Sequence, residues 1–279
     1  MKYKIGFIGA SKTGSNLVRL CQQYNNLIDL VGIYSNSKLA LDETINIIDI
    51  PIATDMFQLI ESSDIIFITT KDNDISKTWE YIQSTQTRKL EQIFIHCSGL
   101  LTSEVFINHE SNGASLHPIF PFNRKDIPLD TLSQIQFSLE GGDTAITYIK
   151  PLLELLNLKY FVIDKTVKPI YHFICFILSS GVTALFSYAT QISNNSNIDI
   201  FKLLPLSINA INNLTESNNI TQSMTGPIAR GDIDTLSNYT KLLEPSNLPP
   251  LKFIIEHLVP FTNHEHKQLL IKFLTTLEE

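Results

Sequence analysis

"IGFIGASKTGSNL" (residues 5–17) decides how the fold is read. An apolar, β-branched run ends in glycine and opens directly into a helix-forming segment, the context in which a Gly-rich turn aims a helix N-terminus at a pyrophosphate. Gly9 allows the tight turn and Gly14 the close approach of helix to strand, while Ser11 stands where the common fingerprint has its middle glycine. With Ser11, Lys12 and Thr13 they form the expected phosphate-binding turn of a dinucleotide site. The other reading of the turn is a structural strand-to-helix connection.

Outward from this turn, short apolar runs alternate with helical stretches. The candidate strands are residues 4–9, 29–35, 64–70, 92–98, 136–141 and 159–164. This alternation predicts an α/β fold, a mostly parallel sheet with crossover helices. From Thr166 the pattern changes to helical segments at 166–194, 199–216, 232–244 and 264–278, with "NNSN" (194–197) read as a loop. A chain of 279 residues exceeds the usual single core. The expectation is a dinucleotide-binding domain over 1–165 and an all-α domain over 166–279.

Hydrophobic residues make up 43% of the chain and charged residues 18%, an ordinary globular mix. A net charge of −7 argues against a phosphate-backbone binder, so no nucleic-acid partner is expected. Cys21, Cys97 and Cys175 are odd in number and form no C-x-x-C pair, which fits a reduced cytoplasmic interior and no metal site. The N-terminal apolar run meets glycine too soon for a signal sequence. "IYHFICFILSSGVTALF" (170–186) is short for a membrane span and broken by small residues, so a buried helix and no membrane partner are expected.

The second strand ends in "YSNSK" (34–38), without the acid that would accept hydrogen bonds from ribose hydroxyls. Ser35, Asn36, Ser37 and Lys38 instead offer donors to a 2′-phosphate, with Lys12 nearby, which points to NADPH; the alternative is a solvated turn. In an open α/β sheet the ligand lies beyond the carboxyl ends of the strands. Thr69, Thr70, Ser98 and Gly99 would therefore edge the nicotinamide and the substrate. Asp72 and Asp74 read as caps of the following helix. "SLHPIFPF" (115–122) sets His117 before a proline, hence in an extended segment, as a cleft residue or a satisfied core histidine.

On a helix, Lys168, His172 and Ser179 return to one face within about 40°. They form a polar stripe that either lines a cleft or marks a helix start with Pro169 in its first turn. "TGPIARGD" (225–232) holds Arg230 between glycines and a proline. It reads as a carboxylate grip, as an interhelical turn capped by Asp232, or as a plain solvent loop.

The succession "GFIGASKTGSNL", "GIYSNS", "FIHCSGLLTSE", "GASLHPIFPF", "KPIYHFICFILSSG" and "TGPIARGD" resembles the Rossmann-like proteins with a helical C-terminal domain of formerly unknown function. These lie in the 6-phosphogluconate dehydrogenase-like superfamily, in which one branch contains an alternative ketopantoate reductase. The resemblance implies an NADPH-dependent reductase of a small 2-oxo acid, first of all ketopantoate to pantoate, and a homodimer paired through the helical domain. It implies Lys168 as general acid, assisted by His172 or His117, with His172 standing where the superfamily has a substrate-binding asparagine. Arg230 would hold the carboxylate, and Ser98 with Ser179 the carbonyl or hydroxyl. An imine reductase similar to pyrroline-5-carboxylate reductase and a non-catalytic NADP sensor are the rival expectations.

Overall fold

The computed structural model describes residues 2–85, 88–193, 196 and 198–277. Of the expected loop at 194–197, Asn194, Asn195 and Asn197 lie outside the described residues. The chain forms two compact units, Met1–Leu185 and Phe186–Glu279.

The first unit is built on strands β1 (Tyr3–Ile8), β2 (Ile28–Tyr34), β3 (Ile65–Ile68), β4 (Ile93–His96), β5 (Gly113–Pro118), β6 (Gln136–Gly141) and β7 (Lys159–Val162). They make one sheet in the order β2-β1-β3-β4-β5-β6-β7. The pairings are parallel except β5 with β6, so the last two strands run against the rest. Its helices are α1 (Lys12–Gln22), α2 (Lys38–Ile45), α3 (Met56–Ser62), α4 (Asp72–Ser84), α5 (Leu129–Leu132), α6 (Asp143–Leu155) and α7 (Lys168–Phe176).

Successive strand residues point to opposite faces, and the core divides accordingly. Ile5 and Phe7 of β1 and Ile93 and Ile95 of β4 pack with Leu17 and Val18 of α1 and Ile149 and Leu152 of α6. Ile8, Ile66, Ile68 and Phe94 pack on the other face against α3 and α4, where Trp79 meets Phe94 edge-on at 4.9 Å. Both faces are covered, as a parallel sheet requires.

Strand β5 was not among the expected strands. Its residues GASLHP are small or polar, yet four of the first five are fully buried, because their partners come from distant parts of the chain. Gly113 allows this, since a Cβ there would lie 2.5 Å from Phe106.

After Phe176 the helix continues through a π turn (Ile177–Gly181) into α8 (Val182–Ser193), and the boundary between the units falls inside α8. The expectation that 170–186 is buried is corrected. Phe173, Phe176 and Leu178 are each more than half exposed in the monomer. Local hydropathy cannot distinguish a face turned to the core from one left exposed. By length and composition alone, Lys165–Ser193 would also suffice to cross a membrane.

In the second unit a 3₁₀ turn (Ile200–Leu203) leads into α9 (Leu204–Ser217), followed by α10 (Ile220–Ser223), α11 (Gly226–Arg230), α12 (Ile233–Leu242), α13 (Leu248–Leu258) and α14 (His264–Thr276). Ile228, Leu236, Ile255, Leu270 and Phe273 form its core. The sequence reading did not foresee α13, whose prolines at 249 and 250 look like breakers; they stand in the first turn, where no amide donor is needed.

"TGPIARGD" is the short helix α11 followed by a cap. Gly231 closes α11 in the left-handed region at φ +63°, against the ring of His266, whose Nδ1 lies 2.9 Å from the Ala229 carbonyl oxygen. Asp232 starts α12, its carboxylate accepting from the Thr235 amide at 3.0 Å and the Thr235 hydroxyl at 2.8 Å. The Asp232 pKa is lowered by these bonds and by Arg230.

Candidate active site

The turn after β1 is shaped by what lies behind it. Gly9 has φ +110°, and a Cβ there would come within 2.8 Å of the Thr69 carbonyl carbon and the Thr70 nitrogen. A Cβ on Gly14 would strike Thr69 Oγ1, which donates to the Gly9 carbonyl at 2.6 Å. The glycines are thus required by the end of β3. Ser11 is the N-cap of α1, its Oγ accepting from the Gly14 amide at 3.1 Å.

Two clefts flank this turn at the carboxyl ends of the parallel strands. One, of about 510 Å³, is bordered by Ser11, Lys12, Thr13, Thr69, Thr70 and Ser98. The other, of about 560 Å³, is bordered by Gly9, Thr70 and the end of β2 at Ser35, Asn36 and Ser37. Among the described residues Thr70 Oγ1 is buried without a partner, and Thr70 borders both clefts. A turn that excludes side chains, a capped helix N-terminus and an orphaned hydroxyl between two clefts fit an extended diphosphate-linked ligand.

Ser35 Oγ accepts from the Ser37 amide at 3.2 Å and Ser37 Oγ from the Ala40 amide at 3.3 Å, which leaves both hydroxyl protons to donate. Asn36 accepts from the Tyr34 hydroxyl at 2.6 Å and keeps its amide protons. Lys38 differs from expectation: it is the exposed first residue of α2 and borders neither cleft. The lysine that borders the same cleft as Ser35 is Lys77 on α4, together with Asp74. Lys125 borders the other cleft and is tied to α2 through the Ala40 carbonyl at 2.7 Å and Glu43 at 3.1 Å. The sequence reading named neither lysine; both arrive from segments remote from the β2 end.

A third cavity, of about 600 Å³, holds both predicted histidines. His117, His172 and Ser179 line it with Cys175, Phe120 and Phe176, and no Lys, Arg, Asp or Glu is among its described lining residues. The imidazole centres lie 6.0 Å apart. Gly99 sits against both rings: a Cβ there would be 2.9 Å from His117 Nε2 and would collide with His172 Cδ2. The turn after β4 therefore joins this cavity to the cleft bordered by Ser98. Burial, then the Lys168 cation and His172, push the His117 pKa down to about 4.

Lys168 differs most from expectation. It is fully buried (0% exposed) and borders none of the three cavities. Its ammonium donates to Ser115 Oγ at 2.6 Å, and Ser115 Oγ donates to the Ser98 carbonyl at 2.9 Å. On its other side lies Glu140, at 4.0 Å, which accepts from the Ser103 amide at 2.8 Å and the Ser103 hydroxyl at 2.7 Å. Burial lowers the Lys168 pKa to about 8 against the opposing pull of Glu140. The ammonium thus clamps the turn after β4 to β5 and β6.

Ser98 is committed inside the protein as well. Its hydroxyl donates to Asp72 at 2.6 Å and accepts from the amides of Leu100 and Leu101 at 3.2 and 3.0 Å. Asp72, read as a cap, therefore bridges the first turn of α4 to the turn after β4. Arg230 lies in the second unit with its side chain 65% exposed, 3.9 Å from Asp232. Among the described residues, no cluster of His, Cys, Asp or Glu could hold a metal ion.

These features define a Rossmann-type α/β unit, with clefts at the carboxyl ends of its parallel strands, continued by a helical unit. Residues 135–251 match the sequence profile of a domain of unknown function, DUF2520. No curated protein matches the chain. Among solved structures, the chain is similar to protein TM1727 from Thermotoga maritima, at 23% identity and TM-score 0.67, over 99% of this chain and 100% of the other. It is similar to BF3122 of Bacteroides fragilis, named as a candidate NADP oxidoreductase, at 19% identity and TM-score 0.71, over 92% and 96%. It is also similar to a Plasmodium falciparum pyrroline carboxylate reductase with NADP bound, at 14% identity and TM-score 0.60, over 99% and 98%.

Proposed function

We propose that the chain is an NADPH-dependent reductase of a small carbonyl compound, with a 2-oxo acid of the ketopantoate type as first candidate. The observation that carries this reading is the turn after β4, which joins the glycine-turn cleft to a cavity bearing two imidazoles within one unit. The similarity in fold to the Bacteroides and Plasmodium proteins supports the cofactor class.

When bound, NADPH supplies the hydride. Gly9, Ser11, Lys12, Thr13 and Gly14 would hold its pyrophosphate, Ser35, Asn36 and Ser37 with Lys77 its 2′-phosphate, and Thr69 and Thr70 its ribose and nicotinamide side. His117, neutral near pH 7, donates a hydrogen bond from its ring to the substrate oxygen. His172, on the same cavity, gives the proton to the developing alkoxide, a type of assistance worth about 10²–10⁴-fold. Lys168 acts from behind, fixing the turn that bears Gly99. Ser179 orients the substrate. Arg230, exposed in the helical unit, carries a planar fork that suits a carboxylate.

A second reading is reduction of a C=N bond, which forms no alkoxide to be protonated; the similarity in fold to the Plasmodium pyrroline carboxylate reductase supports it. We further propose a soluble protein of a reduced, cytoplasmic compartment, consistent with three free cysteines. It would pair with a second copy through the helices that leave Phe173, Phe176, Phe201 and Leu206 exposed. NADPH oxidation with ketopantoate and with pyrroline-5-carboxylate tests the reading. Turnover of the first alone supports the 2-oxo acid, turnover of the second alone the imine. Tight NADPH binding with neither turned over, nor any in a wider panel of 2-oxo acids, would leave a cofactor sensor.

A further inference from the structure

We infer that Tyr171 is a positioning residue that sets the tautomer of His117, its phenol donating to Nδ1 so that the single ring proton stays on Nε2, facing Gly99. The role assigned to that proton rests on the proposed reductase reading; the tautomer itself does not.

The geometry is specific. Tyr171 Oη lies 2.7 Å from His117 Nδ1, and the two rings meet edge-on at 5.7 Å and 83°. Tyr171 is wedged from its other side by Phe161 of β7, again edge-on at 6.1 Å. Nε2 is the ring nitrogen that approaches Gly99. A neutral imidazole carries one N–H, so whichever group holds Nδ1 decides what Nε2 presents to the cavity.

Either partner of the Tyr171–His117 bond could be the donor, and the surroundings decide. Ser138 sits opposite His117 in the β5–β6 ladder. Among the described residues its Oγ is buried with no partner in hydrogen-bond geometry, and it lies beside the phenol. A buried hydroxyl seeks an acceptor. The phenol oxygen is the acceptor it faces, and once that oxygen receives Ser138 its own proton is left for Nδ1. The remaining neighbour, the Cys175 thiol, is a weak acceptor that competes poorly with an imidazole nitrogen. Burial raises the Tyr171 pKa, so the phenol keeps its proton to donate. The chain Ser138 to Tyr171 to His117 then ends in an Nε2–H donor, suited to polarise a carbonyl or imine without changing charge.

Nitrogen-15 spectra of the histidine rings in the labelled full-length protein test the inference, with His117 assigned by its loss in His117→Gln. Wild type is expected to show the Nε2–H tautomer at neutral pH, and Tyr171→Phe a mixed or reversed tautomer with an unchanged melting temperature. An Nδ1–H tautomer in wild type overturns the proposal, and that measurement does not depend on any variant folding. A Tyr171→Phe protein with the wild-type tautomer overturns it as well. With ketopantoate or pyrroline-5-carboxylate as the probe, Tyr171→Phe should lower kcat about tenfold at unchanged KM for NADPH. If neither probe is turned over, the reductase reading fails while the spectra still report the tautomer.

Discussion

Replacing Lys168 by Met tests whether the buried ammonium serves as a clamp. Burial lowers its pKa from 10.5 to about 8, and at about 1.4 kcal/mol per pH unit the folded chain holds the charge at a cost of roughly 3 kcal/mol. The sign follows from proton linkage. Between pH 8 and 10.5 the unfolded chain keeps a proton that the folded chain has released, so this residue makes stability rise with pH across that window; below pH 8 both states bind the proton and the contribution is flat. Lys168→Met abolishes the rise. It also strands the Glu140 carboxylate, which keeps its two bonds from Ser103 but loses the cation. Removing one member of a buried pair costs about 3–5 kcal/mol, so the single variant should be less stable at pH 7 by that order. Lys168→Met/Glu140→Gln should recover at least half. The assay is urea unfolding at pH 7, 8, 9 and 10, read as wild type minus variant. The buried thiol of Cys21, pushed up to about 12, acts in the opposite sense above pH 9 and cancels in that difference. Equal stability at pH 7 and an equal pH slope for the two proteins would refute the clamp.

Gly9→Ala forces a Cβ against the Thr69–Thr70 backbone at 2.8 Å with φ in the left-handed region; NADPH affinity should fall more than tenfold in a fluorescence titration, and unchanged binding would remove the turn from the site. Gly99→Ala should displace His172 and His117, cutting turnover on the best substrate at least tenfold while NADPH still binds; wild-type turnover would place the chemistry elsewhere. NADPH should bind at least about tenfold more tightly than NADH, roughly 1.4 kcal/mol, and Lys77→Ala should narrow the gap; equal affinities for wild type would discard the 2′-phosphate argument. Asp232→Ala should lower stability by about 1 kcal/mol as a lost N-cap, read by urea unfolding. Arg230→Lys should weaken 2-oxo acid binding by about 1–3 kcal/mol if the guanidinium grips a carboxylate; unchanged kinetics would leave α11 a plain helix end.

The parts of this fold that were legible in the sequence are those whose cause is local. The glycine turn, the six recognised strands and the cap at Asp232 each follow from a few neighbouring residues. Strand β5 was hidden because Ser115 and His117 look unfit for a core, and what satisfies Ser115 is an ammonium 53 residues away. The spacing of Lys168, His172 and Ser179 suggested one face; His172 and Ser179 line the cavity and Lys168 does not. Lys168 stands at the helix start, where the chain leaves the sheet, and Glu140 and Ser115 draw it inward. Tyr171 passed for an ordinary apolar residue of an apolar helix, since its partners His117 and Ser138 lie on strands β5 and β6. Lys77 and Lys125 approach the clefts only through the packing of α4 and of the segment after β5.

The displaced pKa values separate chemistry from packing in this molecule. Cys21 sits in the core with its thiol raised to about 12 by burial alone. His96 is lowered to about 3 and His117 to about 4, each first by burial and then with a contribution from the Lys168 cation, which also opposes the rise at Cys97. Cys21 is shifted by burial alone, whereas His96, His117 and Cys97 are shifted first by burial and also feel one nearby charge. That shared charge stands at the carboxyl ends of β4 and β5, where an open α/β sheet binds its ligand. Lys168 borders none of the three cavities, so its charge acts through the protein: from behind the turn after β4 it adds to burial in disfavouring a second positive charge at His96 and His117.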